Sequence, residues 1–194
     1  MGSLFPLIVE PIDLPAIPGL TYLPSYITDT EETDLAAAID AKPWDTTWKR
    51  RRQLYGWSYG RSEGSEPPPI PPWGLSLAER MHAEGLSHRP FDQMLVNEYF
   101  PGQGIALHRD YEPFDRTVVS LSLLSPCVME LRRAAEGRRE SLLLERRSLL
   151  VLSDEARYKW QHGIAGRKND RWQGVLIPRG RRLSITFRLV KRPA

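Results

Sequence analysis

His108 and Asp110, in the stretch Tyr99-Phe-Pro-Gly-Gln-Gly-Ile-Ala-Leu-His-Arg-Asp110, stand two residues apart in a run that reads as a strand. Residues i and i+2 of a strand point to the same side, so an imidazole and a carboxylate can converge there on one ion. His162, in Lys-Trp-Gln-His162-Gly-Ile, lies far enough downstream to return on another strand with a second imidazole. Two imidazoles and one carboxylate occupy one face of an octahedron and leave positions open, the donor set of a non-haem Fe(II) oxygenase centre. A lone His-x-Asp is a common tripeptide, and its plain counterpart is a surface histidine beside a loop aspartate.

The segment Arg182-Leu-Ser-Ile-Thr-Phe-Arg188 adds weight. Arg182, Ser184, Thr186 and Arg188 alternate with Leu183, Ile185 and Phe187, so period two puts the four polar side chains on one face of a strand. Two arginines on an inward face need an anionic partner, because an unpaired buried charge is costly. A dicarboxylic cosubstrate supplies one, and the planar guanidinium matches a carboxylate bidentately. The alternative is a basic, solvated strand edge that ends in Lys191 and Arg192.

In order along the chain, Asn97-x-Tyr99, His108-x-Asp110, His162 and Arg182-x-Ser-x-x-x-Arg188 resemble the AlkB family of Fe(II)- and 2-oxoglutarate-dependent dioxygenases. Residues 97–104, 118–123 and 147–164 are especially similar to the AlkB domain of animal tRNA wobble-uridine hydroxylases and their free-standing bacterial relatives. The match spans residues 90–190, with a looser echo in Arg51-Arg52 and Gly56-Trp57. The resemblance implies that His108, Asp110 and His162 bind Fe(II), that Asn97 and Tyr99 contact 2-oxoglutarate, and that Arg182 and Arg188 hold its carboxylates. Ser184 stands where the founding bacterial members carry asparagine, which shortens that polar contact.

It also implies the reaction: O2 and 2-oxoglutarate are consumed, succinate is released and a C–H bond is hydroxylated. On an N-methyl group the product loses formaldehyde and the base is restored. Such an enzyme works on single-stranded DNA or RNA, tRNA included, or flips its target base out of a duplex. Residues 40–75 correspond to the nucleotide-recognition lid of the family and mix aromatics with arginines. Trp57 and Tyr59 are the expected stacking platform, with Arg51 and Arg52 on the backbone or cosubstrate side; packing of those aromatics into the core is the alternative.

Glu112, four residues after His108, is where repair members of the family place an acid against the damaged base. A carboxylate there accepts from the exocyclic amine of adenine or cytosine and complements the charge of an N1- or N3-methylated ring. Glu112 and the lid therefore favour demethylation of 1-methyladenine or 3-methylcytosine as direct-reversal repair. Hydroxylation of a wobble uridine in tRNA is the alternative, although the chain carries neither the RNA-recognition nor the methyltransferase domain of the animal enzyme. A non-catalytic nucleic-acid-binding module and a protein side-chain hydroxylase complete the field, since one scaffold hosts many reactions.

The elements that must position these residues follow from pattern and breakers. At 194 residues the chain suits one domain with one core. It has neither an apolar run long enough for a membrane span nor a signal-like start, so a cytoplasmic monomer with no membrane contact is expected. Cys127, the single cysteine, forms no internal disulfide and is expected as a buried, inert thiol. The net charge is +3 with pI near 9.1, and basic residues cluster at 49–52, 132–133, 138–139, 146–147 and 179–182, a candidate phosphate-binding rim.

Residues 1–28, punctuated by prolines, are expected to be irregular with short strands, and the proline block 62–72 to be a loop. Helices are predicted over 29–40 and 75–84. Strands are predicted over 93–99, 105–108, 117–123, 127–132, 141–144, 148–152, 161–164 and 183–190. Short strands with few helices between them suit a mostly β fold with flanking helices, a double-stranded β-helix or jelly roll, with the metal between its sheets.

Overall fold

The computed structural model describes residues 14–57 and 67–191. Expectations placed on Tyr59, on the first part of the proline block and on the chain before residue 14 lie outside the described residues.

Two antiparallel sheets face each other. The larger has the order β1 (Leu20–Leu23), β8 (Leu149–Leu152), β5 (Phe114–Leu123), β12 (Arg182–Val190), β3 (Gln93–Tyr99) and β2 (Arg52–Gly56). The smaller runs β4 (Ile105–His108), β9 (Gln161–Ile164), β6 (Cys127–Arg133) and β7 (Arg138–Leu144). This is the double-stranded β-helix, and a separate hairpin of β10 (Asn169–Trp172) and β11 (Val175–Pro178) projects from it.

Helices α1 (Asp29–Asp40) and α2 (Pro72–Ala83) cover the outer face of the larger sheet. Thr28 starts α1 with a capping box: its Oγ1 accepts from the Glu31 N–H at 3.1 Å, and Glu31 Oε2 accepts from the Thr28 N–H at 2.7 Å. Helix α2 begins three residues earlier than predicted, on Pro72 itself, because proline lacks only an N–H that the first turn leaves unused. No helix among the described residues is long and apolar enough to cross a membrane.

Strand β12 shows how sequence becomes architecture. Leu183, Ile185, Phe187 and Leu189 join Met94, Val96, Val119 and Leu121 under Leu35, Ile39, Leu77 and Met81 of the helices. The alternate side chains Arg182, Ser184, Thr186 and Arg188 face the other sheet, as the period-two pattern requires. A second apolar cluster, with Leu131, Leu142, Leu144, Leu150, Leu152 and Trp160, fills one end of the space between the sheets. Cys127 is buried in it, as expected. The other end is polar.

Candidate active site

His108 on β4 and His162 on β9 are direct cross-strand partners, with ring centroids 4.5 Å apart. Asp110, just past the end of β4, brings its Oδ2 to 3.5 Å from His162 Nε2. The three predicted metal ligands thus share one inner surface of the smaller sheet. Among the described residues no three His, Cys, Asp or Glu side chains are gathered tightly enough to hold an ion as they stand. The donors nonetheless fit one: Asp110 Oδ2 and His162 Nδ1 are buried without hydrogen-bond partners. His108 Nδ1 lies 2.9 Å from the Ala106 carbonyl, and a proton donated there leaves Nε2 its lone pair.

Their protonation suits the same purpose. Burial dominates at His162 and pulls its pKa down to about 4, against the opposing Asp110 charge. Burial alone would raise the Asp110 carboxyl, but the Arg188 guanidinium and His162 outweigh it and hold it down at about 2. At neutral pH the pair is a neutral imidazole and a carboxylate, the ligating forms.

Across from these donors lies the predicted cosubstrate set. Arg182 pairs directly with Tyr99, and Ser184 with Asn97, across the β12–β3 junction. Together with Thr186, Arg188, Ile105, Met129 and the three metal-ligand candidates they line a cavity between the sheets. Arg182 is only 3% exposed and donates from Nη2 to Ser122 Oγ at 2.8 Å, while its Nε and Nη1 are buried without partners. Its guanidinium sits 5.3 Å from the Tyr99 ring. Burial raises the Tyr99 pKa, which keeps the phenol protonated as a donor. Ser184 Oγ is 3.0 Å from Ser120 Oγ.

Arg188, also expected at a cosubstrate carboxylate, lines the cavity with its guanidinium on Asp110. Nε and Nη2 both reach Asp110 Oδ1, at 2.9 and 2.8 Å, and Nη1 donates to Gln93 Oε1 at 3.2 Å. Its anionic partner is Asp110, one of the three expected metal ligands.

The cavity opens into a larger vestibule of about 540 Å³ that shares Asn97, Ile105, His108, Asp110 and Arg188 with it. Its outer wall is Trp48, Lys49, Arg50, Arg52, Arg109 and Tyr111. Of the predicted substrate contacts among the described residues only Arg52 is there, paired with Asp45 at 3.0 Å and stacked on Trp48 at 4.5 Å. Arg51 points to the opposite face and grips the buried Glu98, as neighbours on an extended chain must diverge. Trp57 closes β2 beyond the vestibule, its backbone tied to Asp92 and the Gln93 side chain.

Glu112, the acid expected against the base, is not brought to the vestibule. It is exposed on a turn and pairs with Lys191 at 2.6 Å, outside the vestibule. The chain turns at residues 111–114, where the Phe114 N–H bonds the Tyr111 carbonyl at 3.0 Å, so a spacing of four from His108 does not return to the site. Trp48 and Tyr111, each 59% exposed, were missed by the sequence reading; the signal for Trp48 was its place beside Lys49-Arg-Arg-Arg52. The basic rim also shrinks. Arg146 and Arg147 pair with Asp29, Arg179 with Asp170 and Arg181 with Asp40, whereas Lys49, Arg50 and Arg52 reach the vestibule.

Comparison with known proteins fits this geometry. Residues 42–188 match the family model described as the 2OG-Fe(II) oxygenase superfamily. The chain is 35% identical over 204 residues to "Alkylated DNA repair protein ALKBH8 homolog" of Arabidopsis thaliana, covering 90% of this chain and 59% of that protein. It is 34% identical over 207 residues to the mouse "tRNA (carboxymethyluridine(34)-5-O)-methyltransferase ALKBH8", covering 90% of this chain and 31% of that one. The chain therefore spans less than two thirds of either relative. The solved structure of OsALKBH1 superposes with a TM-score of 0.66 at 20% identity, over 90% of this chain and 100% of that chain, a likeness of fold.

Proposed function

Because the chain belongs to the 2OG-Fe(II) oxygenase superfamily, and within it to the AlkB family, we propose that it oxidises a nucleic-acid base at the chamber between its sheets. His108, Asp110 and His162 would hold Fe(II), and Arg182, Tyr99, Asn97 and Ser184 would hold 2-oxoglutarate. The observation that carries the reading is Arg182, a buried guanidinium with two nitrogens unsatisfied, lining the same cavity as an unsatisfied Asp110 oxygen. An anion on the first and a cation on the second answer both.

Iron with 2-oxoglutarate and O2 supplies the oxidant. The chain supplies placement. Arg182 grips a cosubstrate carboxylate from the side of the larger sheet, with the Tyr99 phenol as a neighbouring donor. Arg188 fixes the angle of the Asp110 carboxylate by its two-nitrogen contact, and the Ala106 carbonyl fixes the tautomer of His108. The apolar side chains Ile105, Met129, Leu150 and Ile164 line the same cavity and limit water around the reacting position.

The vestibule bears on the substrate. Trp48 and Tyr111 offer exposed rings for a base to stack on, and Lys49, Arg50, Arg52 and Arg109 suit phosphates. Apart from Asp110 no carboxylate lines it among the described residues. A cationic methylated adenine or cytosine would meet an excess of like charge there, whereas a neutral pyrimidine, or one with an acidic substituent, would not. That favours hydroxylation of a modified uridine in RNA, and similarity to a protein named for tRNA carboxymethyluridine agrees. Demethylation of alkylated bases is the second reading, favoured by similarity to a protein named for alkylated DNA repair.

Mass spectrometry separates the two. Purified protein is incubated with Fe(II), 2-oxoglutarate and air, either with tRNA carrying a carboxymethylated wobble uridine or with oligonucleotides carrying 1-methyladenine or 3-methylcytosine. Gain of one oxygen on the uridine supports the first reading; loss of a methyl from the oligonucleotides replaces it with the second. Failure to consume 2-oxoglutarate with any substrate would leave a binding module and end both.

A further inference from the structure

Three neighbouring stretches of chain each contribute two consecutive residues to opposite faces of the larger sheet. On the inner face Tyr99 lies between two guanidinium groups, Arg182 at 5.3 Å and Arg50 at 5.1 Å from its ring. On the outer face the adjacent residues repeat the order with a carboxylate in the middle. Glu98, fully buried, is held by Arg51, whose Nη2 donates at 2.9 Å, and by Arg181, whose Nε donates at 2.6 Å. The backbone joins the two layers, since Arg182 pairs with Tyr99 and the Glu98 N–H bonds the Arg51 carbonyl at 3.1 Å.

The outer layer reaches further. Arg181 also donates to Asp40 at 2.8 Å, at the C-terminal end of α1, where a carboxylate opposes the helix dipole unless a cation offsets it. Arg51 stacks on Trp44 at 4.7 Å, in the arm that carries Trp48 and Arg50 to the vestibule. Glu98 therefore ties together the helix layer, the vestibule arm and the strand that presents Arg182. A buried carboxylate that lost its arginines would be left an uncompensated charge, so these elements are held in one arrangement.

We infer that Glu98 is a positioning residue for cosubstrate binding: through Arg51 and Arg181 on the outer face it sets the Arg50–Tyr99–Arg182 stack on the inner face. The inference rests on the reading of Arg182 as a 2-oxoglutarate ligand. Glu98 itself touches neither cosubstrate nor substrate. Its effect passes through the backbone of β3 and of the residues that begin β12. Affinity for 2-oxoglutarate should thus depend on a carboxylate on the far side of the sheet.

The test is calorimetric titration of 2-oxoglutarate into anaerobic, Mn(II)-loaded protein, in the wild type, Glu98→Gln, Arg51→Gln and the double variant. Each single change should weaken binding roughly tenfold, in the range of lost supporting contacts. The double variant should bind no worse than the weaker single, because both changes break one clamp. Wild-type affinity in Glu98→Gln, with or without a lower melting temperature, would make the clamp structural only and overturn the inference; so would effects that multiply in the double variant. If Glu98→Gln does not fold, Arg51→Gln decides alone, since that side chain is partly exposed and Arg181 still pairs with Glu98. A wild-type protein that binds no 2-oxoglutarate would overturn the reading of the site itself.

Discussion

His108 and His162 face each other as direct partners across β4 and β9, and the Asp110 carboxylate closes on His162 from the end of β4 at 3.5 Å. The metal assignment can be tested apart from stability, because these residues differ in what else they do. His108→Ala removes a donor from the cavity edge and should abolish Fe(II) or Co(II) binding with little change in melting temperature. Asp110→Ala also strands the Arg188 guanidinium, 12% exposed, and should cost about 3 kcal/mol of stability as well. Retained Co(II) binding in His108→Ala, read by its visible spectrum, would remove His108 from the site.

Gly163 holds the two histidine strands together. A Cβ there would lie 2.9 Å from both the Ile105 carbonyl oxygen and the Leu107 nitrogen, backbone atoms that cannot rotate away. Gly163→Ala should force β4 and β9 apart, lower stability by about 1–3 kcal/mol and weaken metal binding. A variant with wild-type melting and metal affinity would show that the pairing has slack.

Arg182→Lys tests the fork rather than the charge. Lysine keeps the cation but presents a single nitrogen, so 2-oxoglutarate affinity should fall by about tenfold or more, while the protein remains folded. Unchanged affinity would place the cosubstrate elsewhere in the chamber.

The legible parts of the sequence were those with a strong local period. Strands 93–99, 105–108 and 161–164 and helix 29–40 were placed at their observed bounds, and the polar face of β12 followed from its alternation. Positions that depend on where the chain turns were not legible. Glu112 was placed by the family resemblance, from its distance to His108, which says nothing of the turn the chain makes at 111–114. Strand β2 went unread because arginines and aromatics obscured its alternation, and with it the opposite facing of Arg51 and Arg52. The β10–β11 hairpin turns at Gln173-Gly174, both at positive φ, between strands whose outward residues Val175 and Leu176 are apolar, so pattern alone gave no sign of it.

Asp170 anchors that hairpin and predicts an acid dependence. It accepts from Arg179 Nε at 2.6 Å, Arg167 Nε at 2.8 Å and the Val128 N–H at 3.0 Å. Burial alone would raise its carboxyl, but the Arg179 and Val128 donors and both guanidinium charges prevail, so it titrates below its ordinary value. A depressed folded-state pKa means that the stabilisation is complete above the unfolded value of about 4 and fades as pH falls through the folded one. Asp170→Asn should be less stable at neutral pH by about 3 kcal/mol, with a shallower loss of melting temperature on acidification. Parallel wild-type and variant curves from pH 6 downward would contradict this.

The substrate side turns on Trp48 and Glu112, which the structure places on opposite sides of the vestibule's boundary. If Trp48 stacks on the target base, Trp48→Ala should raise the KM for the nucleic-acid substrate about tenfold, in the range of one lost base–aromatic stack. The KM for 2-oxoglutarate should stay where it was, since Trp48 does not line the inner cavity. Glu112→Gln should leave both constants within about twofold, as an exposed ion pair with Lys191 contributes little. Steady-state assays on the substrate identified by mass spectrometry read both variants. A large rise in substrate KM for Glu112→Gln with no change for Trp48→Ala would mean that the turn at 111–114 swings inward on binding, and would return an amino-bearing base to first place.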